Sequence, residues 1–360
     1  MLLLRSMNRF KWLWILMIPL VFVAAYFYLN RFWETPFKPG AKDQKVVFDL
    51  TRGMSPQAIS DALERSGLIE QSFLFLWAGK WHRAWGGIKS AEYELSPALS
   101  PRQLFKVLQS GIGIQKALLI REGDNIFQVA DAFAAAGLAE RRIILERLRS
   151  SEFIADLGLS GEAGSSLEGY LLPNTYFFDK RETPEHLIRR MVEAFKKNWT
   201  PEFEARAKSL GLSRRDVVIL ASVVEKETGA GFERPMIASV FHNRLKKKMR
   251  LQSDPTTIYG IWEGYSGNLR RSDLLQKTPY NTYAIPALPA GPISNPNPES
   301  IRAVLHPAET EYLYFVSKND GTHIFSKTYG EHAAHVRETQ LDPKARDGKS
   351  WRDLGKSGGH

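Results

Sequence analysis

A run of apolar or small residues, Val217-Val-Ile-Leu-Ala-Ser-Val-Val224, ends in Glu225-Lys226-Glu227. A carboxyl in the last turn of a buried helix is suited to proton-transfer chemistry. Desolvation disfavours its anion, and so does the negative end of the helix dipole. Both effects favour the protonated form that a general acid needs. Glu225 is therefore the expected catalytic acid and base; the plainer alternative is a salt bridge to a Lys or Arg. Glu227 lies about 200° further round the helix and is expected to face solvent or an ion pair.

Residues able to bind a polyhydroxylated substrate follow downstream. Gln252, Ser253 and Asp254 stand in Leu251-Gln-Ser-Asp-Pro-Thr256, and Asn281 and Tyr283 in Tyr280-Asn-Thr-Tyr283. Short polar groups on loops stiffened by proline can hydrogen-bond sugar hydroxyls and acetamides. Leu288-Pro-Ala-Gly-Pro-Ile-Ser-Asn-Pro296 is a further rigid loop. Glu168, Glu233 and Asp254 are possible second acids, each with a structural reading: Asp254 precedes a proline, and Glu233 opens a helix. His332 and His335 are three apart without an acid at metal-site spacing and are expected on a surface helix. There is no P-loop, Rossmann glycine pattern or G-x-S-x-G elbow, so neither metal nor cofactor is expected.

The elements that must position these groups are legible. Ser213 with Asp216 forms a capping box at the start of the Glu225 helix. Glu233 to Leu245 is a second helix with Pro235 in its first turn. Gly229 or Gly231 is the expected terminator of the first. Lys246-Lys-Lys248 suits the end of the second as a solvated cap.

Upstream, two stretches match at an offset of 70: Leu50-Thr-Arg-Gly53 through Gly67-Leu68, and Ile120-Arg-Glu-Gly123 through Gly137-Leu138. Each reads as strand, glycine turn, amphipathic helix and Gly-Leu stop. Val46–Leu50 and Ala117–Ile120 are the strands, and a helix capped by Ser100 runs to about Gln109. Units of this size resemble LysM-like modules, which bind N-acetylglucosamine polymers; plain packing units are the other reading. Trp77, Trp81 and Trp85 recur at helical spacing and are expected to form a core stripe, with a saccharide platform as the alternative.

The chain has 360 residues, no cysteine and a net charge of +10. Disulfides and cysteine-ligated metal are excluded. The charge favours anionic partners or simply solubility. Residues 12–29 carry no charge over 18 positions, enough for a membrane span of about 17–25 residues. Arg5, Arg9 and Lys11 precede it and place the N-terminus in the cytoplasm. Nucleic acid is then not an expected partner. The expected organisation is a cytoplasmic N-terminus (1–11), a transmembrane helix (12–29), a linker (30–42), a LysM-like region (43–150), a catalytic domain (151–340) and a mobile tail (341–360). The fold class is α+β: an N-terminal transmembrane helix, a LysM-like strand–helix subdomain and a mixed α/β catalytic domain.

Several stretches together resemble the MltG (YceG-like) family of endolytic murein transglycosylases. They are Ser166-Leu-Glu-Gly-Tyr-Leu-Leu-Pro-Asn-Thr-Tyr176, Ala221-Ser-Val-Val-Glu-Lys-Glu-Thr228, Phe241-His-Asn-Arg-Leu245, Leu251-Gln-Ser-Asp-Pro-Thr256, Asn281-Thr-Tyr283 and Leu288-Pro-Ala-Gly-Pro-Ile293. Asn174, Ala287 and Ala290 depart from the usual residues of that family. The resemblance implies a lyase that cleaves MurNAc–GlcNAc linkages within peptidoglycan, leaving 1,6-anhydro-MurNAc ends, with Glu225 as the single catalytic glutamate. It also implies an inner-membrane anchor, a periplasmic catalytic region, action near peptidoglycan synthases and a role in terminating or trimming nascent strands. A two-carboxylate hydrolase and a non-enzymatic glycan-binding scaffold are the rival readings.

Overall fold

The computed structural model describes residues 3–341; the side chains of 3–16, 18 and 22 and the tail expected beyond 341 lie outside the described residues. The chain divides into two compact units, residues 1–116 with 178–181, and residues 117–177 with 182–360.

The first unit begins with α1 (Leu3–Glu34), a 32-residue helix that contains the whole of segment 12–29 and Pro19. Among the described residues no helix is long and apolar enough to cross a membrane. β1 (Val46–Leu50), α2 (Pro56–Arg65), α3 (Ser72–Trp81), β2 (Ala91–Leu95) and α4 (Pro101–Ser110) follow. β1 and β2 pair antiparallel, Phe48 opposite Tyr93. Buried positions alternate along both strands, the period of a sheet covered on one face. Phe75 and Phe105 stack at 4.7 Å in the core, and Trp85 meets Phe105 edge-on at 4.9 Å. The expected linker is tied down: Lys38 N–H donates to the Pro97 carbonyl at 2.9 Å.

The tryptophan stripe is not a core stripe. α3 ends at Trp81, so Trp85 lies past the helix and packs alone, while Trp77 and Trp81 are exposed.

The second unit contains β3 (Lys116–Ile120), α5 (Ile126–Ala135), α6 (Arg141–Leu148), α7 (Ser151–Asp156), β4 (Asn174–Phe178), α8 (Pro184–Asn198) and α9 (Pro201–Ser209). Then come α10 (Arg214–Glu227), α11 (Arg234–Lys246), α12 (Asp254–Gly260), α13 (Arg271–Leu275), α14 (Pro298–Leu305), β5 (Tyr314–Ser317), β6 (His323–Ser326) and α15 (Tyr329–Val336). β3 pairs with β4, and β5 with β6 in an antiparallel hairpin. α10 is the central helix, packed by α11 and α14.

The 70-residue offset holds in the backbone: β1 and β3, and α2 and α5, start and end 70 residues apart. Gly53 and Gly123 have φ 88° and 75°, and Gly67 and Gly137 both 73°. All four occupy left-handed turns that favour glycine. The two copies fall in different compact units, divided at 116/117. The cause is visible in the second turn. Gly123 N–H donates to the Asn295 carbonyl at 3.1 Å, and Asn295 N–H to the Asp124 carbonyl at 2.9 Å. Long-range bonds thus tie the second copy to the 288–297 loop.

Candidate active site

Ser213 caps α10 as the sequence indicates. Its hydroxyl accepts from Asp216 N–H at 3.1 Å, and Asp216 accepts from Ser213 N–H at 3.0 Å. Every residue from Val217 to Glu225 is buried. Ser222 has a reason to interrupt that run: its hydroxyl accepts from Ile293 N–H at 3.0 Å, and its carbonyl accepts from the Ser294 hydroxyl at 3.1 Å. The proline-rich loop is thereby fastened along α10. Asn295 completes the seam, accepting from Gly169 and Leu171 N–H at 2.9 and 3.0 Å and donating to the Asp124 carbonyl at 2.9 Å. The helix stops at Glu227 without a glycine. Thr228 is extended, and its hydroxyl donates to the Val224 carbonyl at 2.6 Å.

Glu225 is buried but well partnered. Its Oε2 accepts from Asn297 N–H at 3.1 Å and from the Ser300 hydroxyl at 2.7 Å. Arg234 Nη2 stands 3.5 Å from its Oε1. Asn297 caps α14, so Glu225 meets the positive end of that helix dipole. The carboxyl is buried as expected, and the plainer alternative, a contact with an arginine, is present as well: these donors hold Glu225 between α10, α11 and α14. It does not line the cavity described next.

Glu227 takes the opposite face, as the helical period requires, but that face is not open solvent. It borders a cavity of about 380 Å³ with Arg244, Gln252, Asp254, Tyr283, Tyr314, Phe315, Tyr329 and His332. Its Oε1 accepts from the Ser253 hydroxyl at 2.5 Å. Burial pushes its carboxyl up to about 7; the Asp254 charge acts in the same direction, while Ser253 and Arg244 oppose. Near neutrality such a group both gives and takes a proton.

The five expected binding residues separate. Gln252, Asp254 and Tyr283 line the cavity, and the Tyr283 hydroxyl donates to Asp254 at 2.7 Å. Gln252 holds a left-handed φ of 50°, a conformation unfavourable for a residue with Cβ. Ser253 is buried and serves Glu227. Asn281 is fully buried and internal: its amide donates to the Leu274 and Gln276 carbonyls at 3.0 and 2.6 Å and accepts from Tyr283 N–H at 2.9 Å. No donor or acceptor of Asn281 is left for a sugar.

Of the other acids, Glu233 is spent on His323, with Oε2 2.8 Å from Nδ1 and Oε1 accepting the His323 N–H at 3.0 Å. Glu168 is fully buried; one oxygen accepts from Ile126 N–H at 2.9 Å and the other has no partner. Burial pushes it up to about 8. Asp254 alone shares the cavity with Glu227.

Arg244, Tyr314, Phe315, Tyr329 and His332 escaped sequence reasoning. Arg244 is buried, its Nε donating to the Leu313 carbonyl at 2.6 Å, and its guanidinium lies 5.5 Å over the Tyr314 ring. His332 lies on the surface helix α15, as expected, and stacks on Tyr314 at 5.2 Å. Burial holds it below the usual histidine range. Only Arg244 carried a signal, as part of Phe241-His-Asn-Arg-Leu245. Among the described residues no cluster of acids and histidines is arranged to hold a metal.

The YceG-like family matches residues 48–338. An endolytic murein transglycosylase of Bacillus subtilis is 32% identical over 310 residues, 82% of this chain and 85% of that protein. One of Streptococcus pneumoniae is 28% identical over 329 residues, 81% of this chain but 58% of the longer relative. The crystal structure of a YceG-like protein from Listeria monocytogenes superposes with a TM-score of 0.57 at 34% identity, covering 81% of this chain and 99% of that one.

Proposed function

The chain belongs to the YceG-like family, and from that premise we propose that it cleaves peptidoglycan glycan strands as an endolytic lytic transglycosylase, with Glu227 rather than Glu225 as the acid and base. The relatives' activity supports the reaction. The observation that carries the residue assignment is the position of Glu227: it is the carboxyl of the pair that borders the cavity, and burial brings it to about 7.

The chemistry needs one such group. Protonated Glu227 donates to the oxygen of the MurNAc–GlcNAc linkage as that bond breaks, and positive charge develops at the muramyl anomeric carbon. The carboxylate so formed takes the proton from the C6 hydroxyl of the same sugar, whose oxygen closes on that carbon. The products are a 1,6-anhydro end and a free GlcNAc hydroxyl, and the acid is regenerated. Intramolecular attack gains the advantage of a pre-positioned nucleophile and needs no water. Ser253 orients the carboxyl. Gln252, Asp254 and Tyr283 offer polar groups to sugar hydroxyls, and the exposed Tyr329 ring offers a face for a sugar ring. Glu225 is a positioning residue that fixes the end of α10 against α14.

Asp254 supports a second reading. Its charge bears on Glu227 from the same cavity, and two carboxylates can serve a hydrolase. Mass spectrometry of digested strands separates the two, since anhydro ends are one water lighter than reducing ends. Anhydro ends lost in Glu227→Gln and retained in Glu225→Gln bear out the assignment; reducing ends overturn the lyase.

The uncharged segment 12–29 supports an inner-membrane anchor with the second unit in the periplasm, where nascent strands are within reach of an enzyme that trims them beside the synthases. The first unit has its own cavity between the turn after β1 and the segment after α3, lined by Arg52, Gly53, Trp85 and Lys89 among others, a place for LysM-like contact with the same polymer.

A further inference from the structure

Three aromatic residues of the first unit have no use in its core. Phe73, Trp77 and Trp81 recur at i, i+4 and i+8 on α3 and are 65%, 50% and 55% exposed. The core beneath is filled by Phe75, Phe105 and Trp85. Large aromatics left in water on one helical face mark an interaction surface.

Their position says which. Trp81 meets Tyr26 of α1 edge-on, ring centres 6.2 Å apart. The end of α1 is fixed in the same unit, Trp33 stacking on His82 at 4.2 Å. Tyr26 lies three residues before the end of the uncharged segment 12–29, about 5 Å along a helix axis. Where that segment spans a bilayer, Tyr26 falls in the outer interfacial layer, the depth that tyrosine and tryptophan favour. Trp81, in contact with it, is held at the same depth.

We propose that the Phe73–Trp77–Trp81 face of α3 lies in the outer interfacial layer of the lipid bilayer that α1 enters. The proposal rests on the anchor reading above. Lys80 fits it: its ammonium lies 5.1 Å over the Trp77 ring, within reach of lipid phosphates while its stem covers apolar surface. A sugar platform fits less well, because Lys80 already occupies a face of that ring. Seating α3 in the interface gives the first unit one orientation on the membrane instead of free rotation about α1.

The chain contains no cysteine, so Phe73→Cys, Trp77→Cys and Trp81→Cys each carry one polarity-sensitive label at an exposed site. Full-length protein is reconstituted into phosphatidylethanolamine–phosphatidylglycerol vesicles, with Glu152→Cys in the second unit as the aqueous reference. The expected result is a blue shift at 73, 77 and 81 and several-fold stronger quenching by headgroup-labelled lipid than at 152. Protein that floats with the vesicles while all four labels behave alike overturns the interfacial face and leaves the anchor standing. Protein that does not float overturns both. Labels that respond to N-acetylglucosamine oligomers and not to lipid assign the face to sugar.

Discussion

Ser253 and Glu227 are joined by a hydrogen bond of 2.5 Å, hydroxyl to carboxyl. The serine opens the α12 segment and the glutamate ends α10, 26 residues apart. This contact fixes the carboxyl at the edge of the cavity and, by donating to it, favours the anion. Burial and Asp254 act against it. The balance sets the pH at which the acid works.

Glu227→Gln is expected to lower strand cleavage by roughly 10²–10⁴-fold, the range of a general acid–base group. Glu225→Gln keeps its acceptor oxygen for Asn297 and Ser300 and weakens the Arg234 contact, so it lowers the thermal midpoint more than the turnover. Release of anhydromuramyl ends by each variant, read beside its melting curve, checks both. The reverse order of effects would return the catalytic role to Glu225.

kcat/KM for cleavage is expected to fall as pH rises through about 7, the value to which burial pushes Glu227, since a general acid must carry its proton. Ser253→Ala removes a contact that lowers that value, so the limb moves to higher pH. Asp254→Asn removes a charge that raises it, so the limb moves down. Opposite shifts of the two profiles are the signature; shifts in one direction contradict the balance.

Glu168 makes stability fall with pH. Its folded value of about 8 lies above the ordinary 4.5, so the folded state holds a proton that the unfolded state has lost. The stabilisation is complete below the unfolded value and is lost as pH rises through the folded one, with a maximum slope of about 1.4 kcal/mol per pH unit. Glu168→Gln keeps a neutral side chain throughout, and denaturant midpoints between pH 5 and 9 should flatten by that component.

Asn281→Ala is expected to cost about 1–3 kcal/mol of stability through its unpaired partner carbonyls. Gln252→Ala leaves the melting temperature nearly unchanged and raises KM. Urea melts and initial rates on purified strands distinguish an internal clamp from a substrate contact.

Much of this was legible from local chemistry. The capping box of Ser213 and Asp216, the apolar run behind them and the Ser100–Pro101 helix start are contacts between near neighbours, and the structure places them where the spacing requires. The repeat was legible because left-handed turns favour glycine and so mark Gly53, Gly67, Gly123 and Gly137. The uncharged N-terminal segment and the proline-rich loop were legible from composition. The helical period also put Glu225 and Glu227 on opposite faces of α10. What covers each face was decided only by the tertiary structure. Glu225 is met by Asn297 and Ser300, more than 70 residues away, and Glu227 by Ser253 and the Tyr314–His332 wall. The exposed tryptophans of α3 and the internal use of Asn281 have the same origin. Burial and hydrogen-bond partnership depend on distant segments brought together by packing, and a period read along one helix carries no information about which of its faces those segments will fill.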